Sequence, residues 1–140
     1  MVRFTDLDLI KVLMKDSRKT CVELAKIFGV TEAAIRKRIR KLESEKIIKR
    51  FTVEVDLKKL GFEVHALIGL DAYPEKLIQV LERLQSMEEI LNLYTSSGDH
   101  MILIECWFKN MSKLSEFVKK LENIDGITRI CPAIILEKIE

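Results

Sequence analysis

The chain has 140 residues, of which 48% are hydrophobic and 33% charged, a composition typical of a globular protein. No apolar run approaches the roughly 20 residues of a membrane-spanning helix, and the acidic N-terminal region lacks a signal-peptide pattern. We therefore expect a cytoplasmic protein that does not bind a membrane. Residues 1–60 carry 16 Lys and Arg against 9 Asp and Glu (+7), whereas residues 61–140 carry 8 against 13 (−5). This asymmetry predicts two domains, 1–60 and 61–140, the first suited to a polyanionic partner.

The histidines and cysteines show no spacing typical of a metal site. His65 and His100 have no neighbouring ligands, and Cys21, Cys106 and Cys131 are far apart. No P-loop, GxGxxG or GxSxG motif occurs. The sequence therefore predicts free thiols, no metal and no cofactor.

The first domain is predicted to consist of three helices. Thr5 can cap a helix that ends near residue 15, in which Leu7, Ile10, Leu13 and Met14 recur at helical spacing. A Thr-x-x-Glu capping box at 20–23 opens the second helix. Gly29 follows its end and Thr31 can cap a third helix over 32–46. The spacing of helices two and three predicts a helix-turn-helix in a winged-helix-like domain.

The third predicted helix has two distinct faces. Ile35, Ile39 and Leu42 form an apolar stripe that should face the core. The opposite face carries Ala33, Lys37, Arg40, Lys41 and Ser44, with Arg36 on its flank. Arg38 lies close to the apolar edge, so we expect a structural ion pair there. A capped N-terminus with small residues and a basic outer face suits the major groove of DNA.

Residues 51–56 alternate apolar and polar side chains and predict a half-buried strand. A lone strand is not stable, so it should pair within the domain as a wing or with the same strand of another subunit.

The second domain is predicted to follow the order βαββαβ, a ferredoxin-like α+β fold. Its strands are expected at 64–72, 90–95, 101–108 and 127–136, and its helices at about 74–84 and 112–123. Helices cover one face of such a sheet, yet these strands are apolar on both faces. The bare face therefore predicts a face-to-face homodimer. Pro132 cannot donate to a strand ladder and predicts an edge position or a bulge.

Nearly the whole chain resembles the Lrp/AsnC family of transcriptional regulators, including its archaeal members. The resemblance rests on Asp6 with LDLIKVL, on ELAKIFGVTEAAIRKRIRKLE, and on IIKRF followed by a strand and LGF at 60–62. The second half is similar to the family's βαββαβ effector (RAM) domain.

This resemblance implies a regulator that binds double-stranded DNA, forms dimers through its sheets and assembles further, up to octamers. Many members bind an amino acid at a dimer–dimer interface near the loop between the second and third strands. The DNA-binding residues are then predicted to be Thr31, Glu32, Ala33, Arg36, Lys37, Arg40 and Lys41. The effector-binding residues are predicted to be Ser96, Ser97, Gly98, Asp99 and His100.

The sequence departs from the family at the effector loop. An Asp often stands three residues after the loop glycine, where this chain has Met101. Ile130 and Pro132 occupy positions near which many members have threonines. An amino-acid ligand needs a carboxylate for its ammonium group, and Asp99 is displaced from the usual position.

These departures leave alternatives open. An effector-independent repressor or an architectural DNA-binding protein is the main one, and a module binding RNA or protein through its basic helix is another. An enzyme would have to use Asp99, His100, Glu105 and Cys131, but such a turn is more often a surface element, so we expect no enzyme.

Overall fold

In the computed structural model, which describes residues 4–140, the chain divides into two units between Glu54 and Val55. Residues 1–3, which contributed to the prediction against a signal peptide, lie outside this range. The first unit contains three helices: α1 (Asp6–Lys15), α2 (Cys21–Phe28) and α3 (Glu32–Ser44). None of the helices in residues 4–140 has the length and apolar character that crossing a bilayer would require.

Side-chain caps fix where these helices begin. Thr5 and Asp8 form a capping box on α1, in which the Thr5 hydroxyl accepts from the Asp8 amide and the Asp8 carboxylate accepts from the Thr5 amide. Thr20 and Glu23 form the predicted box on α2. The α2 helix ends at Gly29, whose φ of 65° lies in the left-handed region that glycine adopts without strain.

The first core joins all three helices. Its buried side chains are Leu9 and Leu13 of α1, Leu24 and Ala25 of α2, and Ile35 and Leu42 of α3. The helical spacing predicted α1 correctly, but it did not predict which of its side chains are buried. Leu7 and Met14 are exposed and Leu9 lies in the core, because the face of α1 that meets the core is narrower than the spread of its apolar residues.

In the single chain, the predicted strand at 51–56 does not form and no wing pairs within the described residues of the domain; pairing with another subunit stays a prediction. Residues 51–55 lack regular secondary structure, and Phe51 and Val53 are exposed by 48% and 78%. Alternation alone cannot hold a strand that finds no neighbour within the single chain. The segment instead leads into a short helix that the sequence analysis did not predict, α4 (Leu57–Leu60), capped by Asp56.

The second unit has the predicted βαββαβ order. It contains β1 (Val64–Ala72), α5 (Leu77–Gln85) after a 3-10 turn at Pro74–Lys76, β2 (Ile90–Thr95), β3 (Ile102–Phe108), α6 (Met111–Glu122) and β4 (Ile127–Ile134). The four strands form one antiparallel sheet in the order β2-β3-β1-β4.

Helices α5 and α6 pack on one face of the sheet, as predicted. Alternate residues of β1 and β3 are buried against α5 and α6, among them Ile68, Leu70 and Ile104, and Phe117 of α6 packs in the same core. The other residues of each strand point to the second face, opposite α5 and α6. This open face presents Leu67, Leu103, Trp107, Tyr94 and Ile135 alongside His65, Glu105, Asn92, Asp71 and Arg129.

Both outer strands of the sheet are irregular. Pro132 lies in β4, an edge strand, which confirms the predicted edge position. The Ile135 amide donates to the His65 carbonyl of β1, so alternation along β4 directs the nitrogen of Pro132 away from the sheet. At the opposite edge, the pairing of β2 with β3 shifts between Ile90 and Asn92, which places a bulge at Leu91.

Candidate nucleic-acid interface and effector loop

The α3 helix exposes a continuous basic surface. Thr31 caps it by accepting a hydrogen bond from the Ala34 amide at 3.1 Å, and Ile35 and Leu42 hold its opposite face in the core. The side chains of Lys37, Arg40 and Lys41 are exposed and make no ion pair or hydrogen bond with any other described residue. Thr31, Glu32, Ala33 and Arg36 are also exposed, so all seven predicted DNA-binding residues lie on the solvent side of this helix.

Two arginines of α3 are already engaged. Arg36 lies 3.7 Å from the Glu32 carboxylate one turn earlier, an exposed pair that contributes little to stability. Arg38 donates to the Phe4 carbonyl at 3.2 Å, lies 3.3 Å from the Asp6 carboxylate and stacks 4.3 Å above the Phe4 ring. The prediction that Arg38 has a structural role is therefore confirmed.

The predicted effector residues lie in the loop between β2 and β3, hereafter the effector loop (residues 96–101). It is closed by a hydrogen bond of 2.9 Å from the Ser96 amide to the Met101 carbonyl, and the Ser96 hydroxyl accepts from the Gly98 amide. Asp99 is exposed and forms no hydrogen bond or ion pair within residues 4–140. Its carboxylate is free to meet a ligand.

His100 is held differently from its neighbours in the loop. Its Nδ1 lies 3.1 Å from Asp71 on β1, and the other oxygen of Asp71 accepts from the Met101 amide at 3.0 Å. The Met101 amide holds the pKa of Asp71 below its usual range; partial burial opposes this, and His100 and Arg129 reinforce it. Asp71 was missed from the sequence, although a carboxylate ending an otherwise apolar strand was a usable signal.

A second histidine pair lies on the same open face. His65 Nε2 is 2.6 Å from Glu105, whose other oxygen accepts from the Asn92 side-chain amide at 2.7 Å. Partial burial raises the pKa of Glu105, but the hydrogen bonds from Asn92 and His65 outweigh it, so the pKa is lowered overall.

The chemistry of the remaining groups is limited. In the described part of the chain, no three His, Cys, Asp or Glu side chains converge to hold a metal ion. Cys106 is buried in the second core, and burial raises the pKa of its thiol to about 12. A thiol with this pKa stays protonated and unreactive at neutral pH.

Both units of the chain match known protein families. A profile of winged helix-turn-helix DNA-binding domains matches residues 5–49, and one of the Lrp/AsnC ligand-binding domain matches residues 63–140. The HTH-type transcriptional regulator LrpA of Pyrococcus abyssi is 43% identical over 141 aligned residues, covering 100% of both chains. The sequence resemblance is thereby confirmed.

Two solved structures share the architecture. E. coli AsnC superposes with a TM-score of 0.80 at 27% identity, covering 99% of this chain and 94% of that one. NMB0573 of Neisseria meningitidis, solved as a complex with L-Met, gives a TM-score of 0.85 at 20% identity, covering 100% and 93%. An α+β chain with a helix-turn-helix unit and a βαββαβ unit defines a class of DNA-binding regulators. Within that class, this chain belongs to the Lrp/AsnC family of transcriptional regulators.

Proposed function

We propose that this regulator acts in the cytoplasm as a homodimer or a higher oligomer and binds double-stranded DNA through α3. We further propose that an amino-acid effector at the effector loop modulates that binding, and that the protein catalyses no reaction. The observation that carries the DNA-binding proposal is the unpaired basic surface of Lys37, Arg40 and Lys41. Free cations on a rigid helix can meet phosphates without first breaking an intramolecular pair.

The open face of the sheet supports the proposal of a dimer. Leu67, Leu103 and Trp107 are half-buried there without a helix over them, and Tyr94 is exposed by 52%. Burial of such a face against a second copy would remove this apolar area from water. Two α3 helices related by a two-fold axis would then read half-sites about 34 Å apart, or a multiple of that distance.

The effector loop supports the proposal of an amino-acid effector. The loop offers the free Asp99 carboxylate, the Ser97 hydroxyl and backbone amides, which could receive the ammonium and carboxylate groups of an amino acid. NMB0573 was solved with L-Met, and the ligand-binding profile covers this unit. The second candidate function, an effector-independent repressor or architectural protein, is favoured by Met101, which stands where the family often has an Asp.

Substitutions on the two faces of α3 test the DNA proposal. We expect Arg40→Ala to weaken binding to the upstream DNA of the protein's own gene by roughly tenfold near 0.1 M salt and to lower the salt slope by about 1, because one phosphate contact is lost. Fluorescence anisotropy over several salt concentrations measures both.

The matched control is Arg38→Ala on the same helix. We expect it to retain DNA affinity but to melt at a lower temperature, because it loses its contacts with Phe4 and Asp6. Unchanged binding of Arg40→Ala at every salt concentration would refute the proposed orientation of α3. Equal binding of the wild type to scrambled DNA would favour the architectural alternative.

A further inference from the structure

The end of the effector loop is fastened to β1 by one carboxylate. Asp71 lies where the pairing of β1 with β4 shifts register, a point at which a strand can redirect a side chain. Its Oδ1 accepts from the Met101 amide, and its Oδ2 lies 3.1 Å from His100 and 4.0 Å from Arg129 of β4. One side chain thus contacts the last two residues of the effector loop and a residue of β4.

A glycine two residues before Asp71 makes room for His100. A Cβ built on Gly69 would lie 2.3 Å from His100 Cδ2 and 2.5 Å from Cγ, far inside van der Waals contact. Gly69 has an ordinary φ, so its lack of a side chain matters here for space and not for backbone conformation. The imidazole therefore lies directly against the β1 backbone, and any other residue at position 69 would displace it.

The contacts of Asp71 and the space left by Gly69 restrain the same segment of the chain. Fixing His100 and Met101 also fixes the Met101 carbonyl, which accepts the hydrogen bond from Ser96 that closes the loop. Ser97, Gly98 and Asp99 are exposed and have few restraints of their own. A loop that is already ordered loses less conformational entropy when a ligand binds, so the binding free energy is more favourable.

We propose that Gly69 and Asp71 form a socket for His100 that positions the effector loop, and that Asp71 is a positioning residue for the effector. This inference rests on the proposed function, which places the effector at that loop. Both oxygens of Asp71 already contact groups of the chain itself, whereas the Asp99 carboxylate is free, so we assign the ligand's ammonium group to Asp99. Asp71 acts through the loop and not by touching the ligand.

Amide hydrogen exchange tests the socket without any ligand. The Ser96 amide is the informative probe, because it lies in the loop closure and does not contact Asp71 itself. We expect Asp71→Ala and Gly69→Ala each to speed exchange at Ser96 at least tenfold. Glu105→Ala, which breaks the other His–carboxylate pair on the same face, should leave it unchanged. Unaltered Ser96 exchange in both socket variants would overturn the proposal.

A double variant separates crowding at Gly69 from general damage to β1. If Gly69 is needed to accommodate the imidazole, Gly69→Ala should add less than twofold to exchange at Ser96 in a His100→Ala background. A full additional effect in that background would overturn the role assigned to Gly69. Asp71→Asn, which keeps an acceptor for Met101 but loses the charge, should show a smaller effect and replaces Asp71→Ala if that variant does not fold.

Ligand response then tests the consequence for the effector. The 20 amino acids are added singly at millimolar concentration, and the DNA affinity of the wild type and of Asp71→Ala is measured. For each amino acid that changes the DNA affinity of the wild type, we expect Asp71→Ala to need at least a tenfold higher concentration for the same change. Without any amino acid, the DNA affinity of Asp71→Ala should lie within twofold of the wild-type value. An unshifted response would overturn the positioning role. A wild type that responds to none of them refutes the proposed effector, and Ser96 exchange alone then decides whether the socket exists.

Discussion

Lys46 holds a backbone conformation that a lysine adopts at a cost. Its φ is 58°, in the left-handed region, and it lies one residue past Glu45, the C-cap of α3. The amides of Ile47 and Ile48 then both donate to the Leu42 carbonyl, so the turn ends the helix two residues before the predicted position. This stop fixes the length of the helix that carries the basic surface.

Replacing Lys46 by glycine should stabilise the first unit. The left-handed conformation costs an L-residue roughly 1–2 kcal/mol, and glycine gives back about 0.5–1 kcal/mol through its greater freedom in the unfolded chain. We therefore expect Lys46→Gly to raise the free energy of unfolding by about 0.5–1 kcal/mol, measured by chemical denaturation. Lys46→Ala removes the same charge without relieving the backbone and should be near neutral. A gain as large in the alanine variant would identify the charge, and not φ, as the source.

Some residue roles could be predicted because a helix repeats a known geometry. The rotation of 100° per residue in an α-helix separated Ile35 and Leu42 from Lys37 and Arg40. It placed Arg38 at the boundary between the apolar and the basic face, where its partner Asp6 lies. Asp71 and Gly69 could not be found in this way. The carboxylate of Asp71 in an apolar strand marks that residue, but the partners of both residues lie in a loop about 30 residues later, and the local sequence does not encode those contacts.

Among the elements, β1, the end of the effector loop and β4 meet at Asp71, and their connection should depend on pH. A carboxylate whose pKa is lowered on folding stabilises the folded state above its unfolded pKa, near 3.8. That stabilisation disappears as the pH falls through the lower folded value. We expect the difference in unfolding free energy between the wild type and Asp71→Asn to be present above pH 4 and to shrink as the pH falls below 4.

Urea denaturation at several pH values between 2.5 and 7 measures this difference. Glu116→Gln, an exposed carboxylate on α6 that pairs with Lys113, serves as the control. If the Asp71→Asn difference persisted undiminished at pH 2.5, the charge of Asp71 would not be what stabilises this junction.

A helix or strand could be predicted from the sequence when it buries an apolar face within its own unit. The alternating strands and the stripes of α5 and α6 fulfil this condition, and all of them form. The segment 51–55 has the same alternation but no partner strand in the single chain, so the pattern does not produce a strand there. The predicted limits of the domains, 1–60 and 61–140, stay a prediction, because composition does not define the residue at which one domain ends and the next begins.

At the scale of the whole molecule, the open face of the sheet determines how copies should associate. We expect Leu103→Glu, which places a charge at the centre of that face, to shift the protein toward monomers, because an isolated charge is costly to bury. Sedimentation velocity at several protein concentrations measures the assembly. Ile78→Glu, on α5 away from this face and 72% exposed in the single chain, should leave it unaltered. An unchanged assembly in Leu103→Glu would mean that copies meet elsewhere.

The irregular edges of the sheet have a consequence for the size of any assembly. An open four-stranded sheet can in principle recruit further copies strand by strand without limit, as fibrils do. Pro132 removes a donor from one edge, and the bulge at Leu91 disturbs the spacing of the other. Growth in the plane of the sheet is therefore disfavoured, whereas stacking across the open face is left available and ends when that face is covered. We therefore expect such a chain to build particles of finite size and to stay dispersed at concentrations where an unprotected sheet would form fibres.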